Sequence, residues 1–176
     1  MNYYSFINKY GNVIYKEKKE TEIDILLFSQ LAYLPMDNID FKNNKKYSLE
    51  EIASNVDREV FLESLIAQRN ALKLLDTIKS LKRFKEIKVT DYTYIADNDS
   101  QFGAVSFILP NKMVVIAFQG TDNTISGWKE DACLSYMYPT TSQEMAGNYV
   151  EKIIGKYKHS VIICGHSKGG NLALVG

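Results

Sequence analysis

The chain has 176 residues, which is long enough for one domain with a sizeable hydrophobic core. Its 21 basic and 21 acidic residues give a formal net charge of +0, so the composition indicates neither nucleic acid nor a strongly charged partner. No apolar run approaches the roughly 18 residues of a membrane span, and the start of the chain lacks the pattern of a signal peptide. Cys133 and Cys164 show no disulfide or metal-ligand spacing, so we expect a reduced, cytoplasmic protein without a transmembrane segment.

Residues 1–84 are predicted to form a mostly helical amino-terminal segment. Two capping boxes, Thr21-x-x-Asp24 and Ser48-x-x-Glu51, mark helix starts. A later apolar stripe predicts a long helix from about Asp57 to Leu81. The helical face that follows the first capping box, and that we expect to be buried, consists of Ile23, Leu26, Leu27, Leu31 and Leu34.

Residues 85–176 show a different apolar period, which becomes strand-like near Lys85. The turn residues Pro110-Asn111-Lys112 predict a hairpin between two of the strands. The predicted strands are Ile87–Ile95, Ala104–Leu109 and Met113–Phe118, with a fourth at Val161–Cys164.

The fourth predicted strand has a helix predicted on either side, near Gln143–Lys158 and from Lys168 onward. Strands separated by helices predict an α/β fold. Because the run Val161–Cys164 is apolar throughout, it predicts a strand that is buried on both faces.

The sequence Gly165-His166-Ser167-Lys168-Gly169 fits a nucleophile elbow, the sharp strand-to-helix turn that exposes a reactive serine. It follows an apolar strand and precedes small residues that can begin a helix, which is the context that the motif requires. A phosphate-binding loop is the competing interpretation, but it needs Lys and then Ser or Thr where Asn171 and Leu172 stand. No dinucleotide motif is present, and no metal or organic cofactor is implied.

The strand that ends at Gly120-Thr121 offers the second part of such a site. In hydrolases with a nucleophile elbow, one oxyanion donor is the backbone N–H after the serine, here Lys168. The other donor comes from a loop after an earlier strand, and Thr121 has that position.

These motifs together resemble the class 3, or fungal-type, lipases of the α/β-hydrolase superfamily. The resemblance rests on Phe118-Gln119-Gly120-Thr121, on Trp128-x-x-Asp131 and on the glycine-rich serine turn. It covers Ile87–Gly176, and more loosely Thr21–Leu34. The run Gly127-Trp128-Lys129-Glu130-Asp131 is closer to a bacterial, cytoplasmic, lipase-like group whose substrates are largely undefined.

The resemblance implies the amino-terminal part of an α/β-hydrolase, with a mixed or parallel sheet and flanking helices. It implies that Ser167 is the nucleophile, that Thr121 and Lys168 donate backbone N–H groups to the oxyanion, and that Asp131 holds the Thr121 hydroxyl. An elbow serine is compatible with an ester, a thioester or an amide, and the resemblance implies a small-molecule ester or a lipid-like substrate. Gln119 departs from the family, which usually has Arg there and with it a supporting ion pair.

The general base that a reactive serine requires is not evident in the sequence. His166 adjoins Ser167 on the turn and should point away from it, and His159 precedes the strand, on the order of 20 Å away at about 3.3 Å per residue. In elbow hydrolases the acid and the histidine follow the serine in the chain. We therefore expect an amino-terminal fragment of a serine hydrolase that lacks the acid and base and is inactive alone.

A hydrolase-derived binding or interaction module is the alternative interpretation. In that case the serine turn would be a structural relic. Under either interpretation, an apolar sheet edge without further strands would be open to self-association.

Overall fold

The computed structural model of the chain describes residues 3–59, 66–97, 100–121 and 138–176. Within them a five-stranded mixed sheet is flanked by helices, as the predicted α/β fold requires. No helix of these residues is both long and apolar enough to cross a membrane.

Helices dominate the amino-terminal segment. Both capping boxes are confirmed, because Thr21 and Ser48 each accept a hydrogen bond from the backbone N–H three residues later and the carboxylate there bonds back. The prediction that the apolar stripe after Thr21 is buried was wrong at Leu26, which is exposed. The helices are α1 Tyr3–Tyr10, α2 Glu22–Leu31, α3 Leu49–Asn55 and α4 Ile66–Ile78.

The predicted long helix from Asp57 to Leu81 is shorter than expected. Residues 57–59 are not helical, with bends at 58 and 59, and the helical residues described here begin at Ile66 and end at Ile78. Arg83 follows in the next turns, where its guanidinium is completely buried. The turn-rich end therefore serves to place a charged side chain inside the helical layer.

The sheet has the order β1-β2-β3-β4-β5, and each strand pairs with its neighbours in sequence. The first three pairings are antiparallel, and β4 and β5 are parallel. The hairpin predicted at Pro110-Asn111-Lys112 joins β3 and β4. The strands are β1 Tyr47–Ser48, β2 Lys88–Ala96, β3 Gln101–Ile108, β4 Val114–Phe118 and β5 Val161–Gly165.

Two further helices follow β4 within the described residues. Helix α5, Thr141–Lys156, connects β4 to the parallel strand β5, and helix α6, Lys168–Val175, follows β5 directly. A parallel pair needs such a crossover, because its second strand must begin at the same end of the sheet as the first.

Each face of the sheet has its own hydrophobic core. Val115 and Ala117 of β4 face helices α1 to α4, whereas Val114, Ile116 and Phe118 face α5. Strands β3 and β4 are consequently buried on both faces. The prediction of that role for Val161–Cys164 was wrong, because every residue of β5 is partly exposed at the edge of the described sheet.

An ion pair lies inside the helical layer. Arg83 donates from Nε and Nη2 to the two carboxylate oxygens of Asp24, at 2.7 Å each, and both side chains are inaccessible to solvent. Its remaining donors reach the backbone carbonyls of Val13, Lys18 and Lys19. This arrangement ties the chain before α2 to the turns after α4.

A second charged cluster joins β2 to α5 on the opposite face. The β2–β3 pairing shifts between Thr90 and Thr93, and Asp91 at this bulge has a φ of 53°. Its buried carboxylate accepts hydrogen bonds from Lys156 Nζ at 2.7 Å and from the Tyr157 hydroxyl at 3.1 Å. The bulge thereby supplies a carboxylate that anchors the crossover helix.

Candidate functional site at the ends of two parallel strands

The serine turn connects the end of β5 to the start of α6. Strand β5 ends at Gly165, helix α6 begins at Lys168, and Ser167 between them has φ 58° and ψ −126°. A positive φ is uncommon for a residue with a side chain and costs on the order of 1–3 kcal/mol. The Ser167 side chain is exposed. The turn therefore presents a hydroxyl to solvent on a strained backbone.

Two glycines allow the strand and the helix to approach each other at this turn. A Cβ atom added to Gly165 would overlap the backbone of Gly169, and one added to Gly169 would overlap the carbonyl of Phe118 in β4. Backbone rather than movable side chains fills both positions. The glycines are thus required by the packing of β5 and α6 against each other and against β4.

The end of β4 lies against the same turn. A Cβ atom on Gly120 would lie 2.6 Å from the carbonyl oxygen of His166 and 3.3 Å from Ser167 Cβ. Because β4 and β5 are parallel neighbours, their carboxyl ends meet at one edge of the sheet. The fold therefore brings Gly120, and Thr121 after it, next to Ser167.

A buried lysine and glutamine link the two strand ends. Lys168 is 4% exposed, and its Nζ donates to the Gln101 carbonyl oxygen at 2.5 Å and to Gln101 Oε1 at 2.8 Å. Gln101 Nε2 donates in turn to the carbonyl oxygen of Gly120, over a longer 3.4 Å. In a trans peptide the C=O and the following N–H point in opposite directions. The Thr121 N–H is therefore directed away from Gln101.

Tyr33, which follows α2, reaches the serine turn from the helical layer. It is buried, and its hydroxyl shares a hydrogen bond with His166 Nδ1 at 3.2 Å. The same hydroxyl occupies the place where a side chain on Gly120 would begin. Tyr33 thus contacts both strand ends at once.

Neither histidine of the chain is arranged to activate Ser167. The His166 ring is engaged by Tyr33, and His159 precedes β5 at the opposite end of that strand. The amino group of Lys168 is directed into the sheet toward Gln101, so a serine–lysine pair is not formed either. These placements agree with the expectation drawn from the sequence.

Cys164 is one residue before the turn and contributes no nucleophile at neutral pH. The thiol is free and packs against the helical core. Burial raises its pKa to about 12, so the reactive thiolate is scarce. Cys133 lies outside the described residues.

The residues expected from the sequence are placed as follows. Ser167 and the backbone of Lys168 form the turn, and Thr121 begins the segment after Gly120. Asp131, and Trp128 of the same motif, lie outside the described residues. The sequence analysis missed Tyr33 and Gln101, because they belong to other elements and no motif marks them.

Comparison with known proteins gives a family match. No curated protein and no solved structure matches the chain significantly. The model of the Mbeg1-like family matches residues 61–176, which is more than half of the chain and includes both strand ends of the candidate site. The chain therefore belongs to the Mbeg1-like family.

Proposed function

We propose that this chain carries the nucleophile and oxyanion hole of a serine hydrolase of the lipase or esterase type, built on an α/β-hydrolase fold. The observation that carries the proposal is the positive φ of the exposed Ser167 between a strand and a helix. A protein retains such strain where the surrounding packing imposes it, and strained serines of this kind are typical of nucleophile elbows.

In the proposed reaction, Ser167 Oγ attacks the carbonyl carbon of an ester. The Oγ–C bond forms, the hydroxyl proton passes to a base, and the carbonyl oxygen becomes an oxyanion. The backbone N–H groups of Lys168 and Thr121 donate to this oxyanion. The alcohol leaves with a proton from the base. Water then attacks the acyl-enzyme: the base takes a proton from the water, the acyl–Oγ bond breaks, and the base returns the proton to Ser167 Oγ.

The positions of the two proposed N–H donors support this assignment. Lys168 is the first residue of α6, and the N–H groups at a helix start are directed along the axis toward an approaching negative charge. The Gly120–Thr121 peptide is oriented by the bond from Gln101 to the Gly120 carbonyl. Asp131 would hold the Thr121 hydroxyl, as the resemblance to class 3 lipases implies.

The proposed base is a histidine other than the two in this chain, with a carboxylate to orient it. The bond of His166 to Tyr33 and the remote place of His159 support this part of the proposal. It follows that residues 1–176 expressed alone should be inactive.

The test is a rapid-mixing experiment with 4-nitrophenyl acetate. The intact gene product is expected to release a burst of nitrophenol, Ser167→Ala to abolish it, and residues 1–176 alone to give none. Ser160→Ala is the matched control, because Ser160 is an exposed serine at the other end of β5. A burst that survives Ser167→Ala would refute the nucleophile, and a Ser167-dependent burst from residues 1–176 would refute the external base.

A further inference from the structure

A cavity of ≈ 190 Å³ lies beside the serine turn. Its walls include Tyr33, whose hydroxyl contacts the His166 ring, and Gln119, the residue before Gly120. The cavity therefore shares residues with both strand ends of the candidate site. We call it the tyrosine pocket, after Tyr33, Tyr92 and Tyr94 in its lining.

Asp37 sets the charge of the tyrosine pocket. Of the described residues that line this cavity, Asp37 has the one charged side chain. Tyrosine hydroxyls and glutamine amides can bind groups of either charge, since they both donate and accept hydrogen bonds. The carboxylate consequently gives the pocket its negative sign.

Asp37 is exposed to solvent, and its hydrogen-bond partner is neutral. Asp37 accepts a hydrogen bond from the Tyr92 hydroxyl at 3.1 Å. Burial, followed by the charge of Asp37, raises the pKa of Tyr92, so the phenol stays protonated and neutral. Among the described residues, no lysine, arginine or histidine pairs with Asp37, whereas Asp40 pairs with Lys45 and Asp91 with Lys156.

The size of the pocket limits what it can contain. At about 30 Å³ for each water molecule, its volume corresponds to roughly six waters. A long acyl chain is too large, but a small ammonium group with its substituents fits. Aromatic rings attract cations through their faces, and an anion nearby adds to this attraction.

We propose that the tyrosine pocket binds a positively charged, ammonium-type group, with Asp37 as its counter-ion. As a statement about the substrate, this rests on the proposed serine hydrolase, because the pocket would place the cation beside the ester that Ser167 attacks. As a statement about binding, it depends only on the lining of the pocket.

The binding test uses choline and 3,3-dimethylbutan-1-ol, which have the same shape and differ in charge. Titration of the intact gene product, followed by NMR, should show that choline binds about tenfold more tightly. Asp37→Asn should remove the difference. Asp40→Asn is the control and should preserve it, because Asp40 does not line this pocket. Equal binding of the two probes, or a preference that survives Asp37→Asn, would overturn the proposal.

A kinetic test separates this inference from the proposed function. The intact gene product is given acetylcholine and its neutral analogue 3,3-dimethylbutyl acetate, and kcat/KM is compared. We expect acetylcholine to be preferred about tenfold, mainly through KM, and the preference to disappear in Asp37→Asn. A Ser167-dependent burst without this preference would refute the pocket alone. Choline binding without any burst would refute the hydrolase and leave the pocket standing.

Discussion

Arg83 and Lys168 are both buried cations, but the two regions of the molecule use them differently. Arg83 is inaccessible and directs its donors to Asp24 and to three backbone carbonyls of the helical layer. Lys168 is 4% exposed and donates to Gln101, whose amide in turn bonds to Gly120 at the end of β4. Arg83 thus joins the turns after α4 to α2 and to the chain before it. Lys168, through Gln101, helps to orient the Gly120–Thr121 peptide beside the exposed Ser167.

Polar groups of the helical layer bond mainly to other parts of the protein, whereas those at the serine turn are partly exposed. In the helical layer, polar groups bond to other protein groups: the helix cap at Thr21 bonds to Asp24, and the Arg83 guanidinium also bonds to Asp24. At the serine turn, strain and close backbone contacts present groups to solvent instead. Substitutions in the first region should therefore reduce stability, and those in the second should also reduce the proposed activity.

The largest effect is expected from Arg83→Met, which leaves the Asp24 carboxylate buried without its cation. Breaking a buried pair in this way costs about 3–5 kcal/mol of unfolding free energy. Arg58→Met is the matched control, because Arg58 forms an exposed pair with Asp76 and such pairs contribute at most about 1 kcal/mol. Urea unfolding measures both. Equal losses in the two variants would contradict the importance of the buried pair.

Gly169→Ala should have the next largest effect, since the added Cβ overlaps the carbonyl of Phe118. Overpacking of this kind typically costs about 1–3 kcal/mol. It should also displace the turn and suppress the burst. Gly147→Ala in α5 is the control, because its Cβ would meet no atom within 4 Å and alanine favours a helix by about 1 kcal/mol. Thermal unfolding should show changes of opposite sign, and two losses would refute the argument.

Gln101→Ala tests the link between the two strand ends. It removes the hydrogen bond from Gln101 Nε2 to the Gly120 carbonyl oxygen, so the proposed N–H donor of Thr121 should lose its orientation. We expect the burst rate constant to fall on the order of tenfold or more, with about 1 kcal/mol lost in unfolding free energy. Asn111→Ala is the control: it also removes side-chain hydrogen bonds, to Glu20 and from the Met113 N–H, but at an exposed turn, so it should lower stability similarly and leave the burst unchanged. An unchanged burst in Gln101→Ala would show that this link does not support catalysis.

The smallest effect concerns Asp91 and depends on pH. Burial acts to raise the pKa of Asp91, but hydrogen bonds from Lys156 and Thr90 outweigh it, so its pKa is below the usual 3.8. Because the folded pKa lies below the unfolded one, this stabilisation is present above about pH 4 and is lost as the pH falls through the folded pKa.

Asp91→Asn should therefore weaken the protein at pH 7 and flatten the loss of stability below about pH 4. Urea unfolding across this range measures the slope. Lys156→Met should flatten it as well, because it removes the partner that lowers the Asp91 pKa. A slope that both substitutions leave unchanged would assign the acid sensitivity to other carboxylates.

Local patterns predicted most of the elements correctly. The capping boxes at Thr21 and Ser48 are formed by residues three apart, so short sequence windows contain all the information needed. The strands and the strand-turn-helix around Ser167 were predicted for the same reason. The burial of Val161–Cys164 and of Leu26 was predicted wrongly, because burial depends on which elements pack against a residue.

The sequence by itself determined the short-range geometry: the apolar runs that form strands, the helix caps, and the glycines that permit a sharp turn at Ser167. Only the tertiary structure decided which residues surround that turn. Tyr33 and Gln101 come from elements far away in the chain, and Asp37 lines the cavity that Tyr33 also lines. Their places follow from the packing of helices on a twisted sheet, and no local pattern encodes contacts of that range.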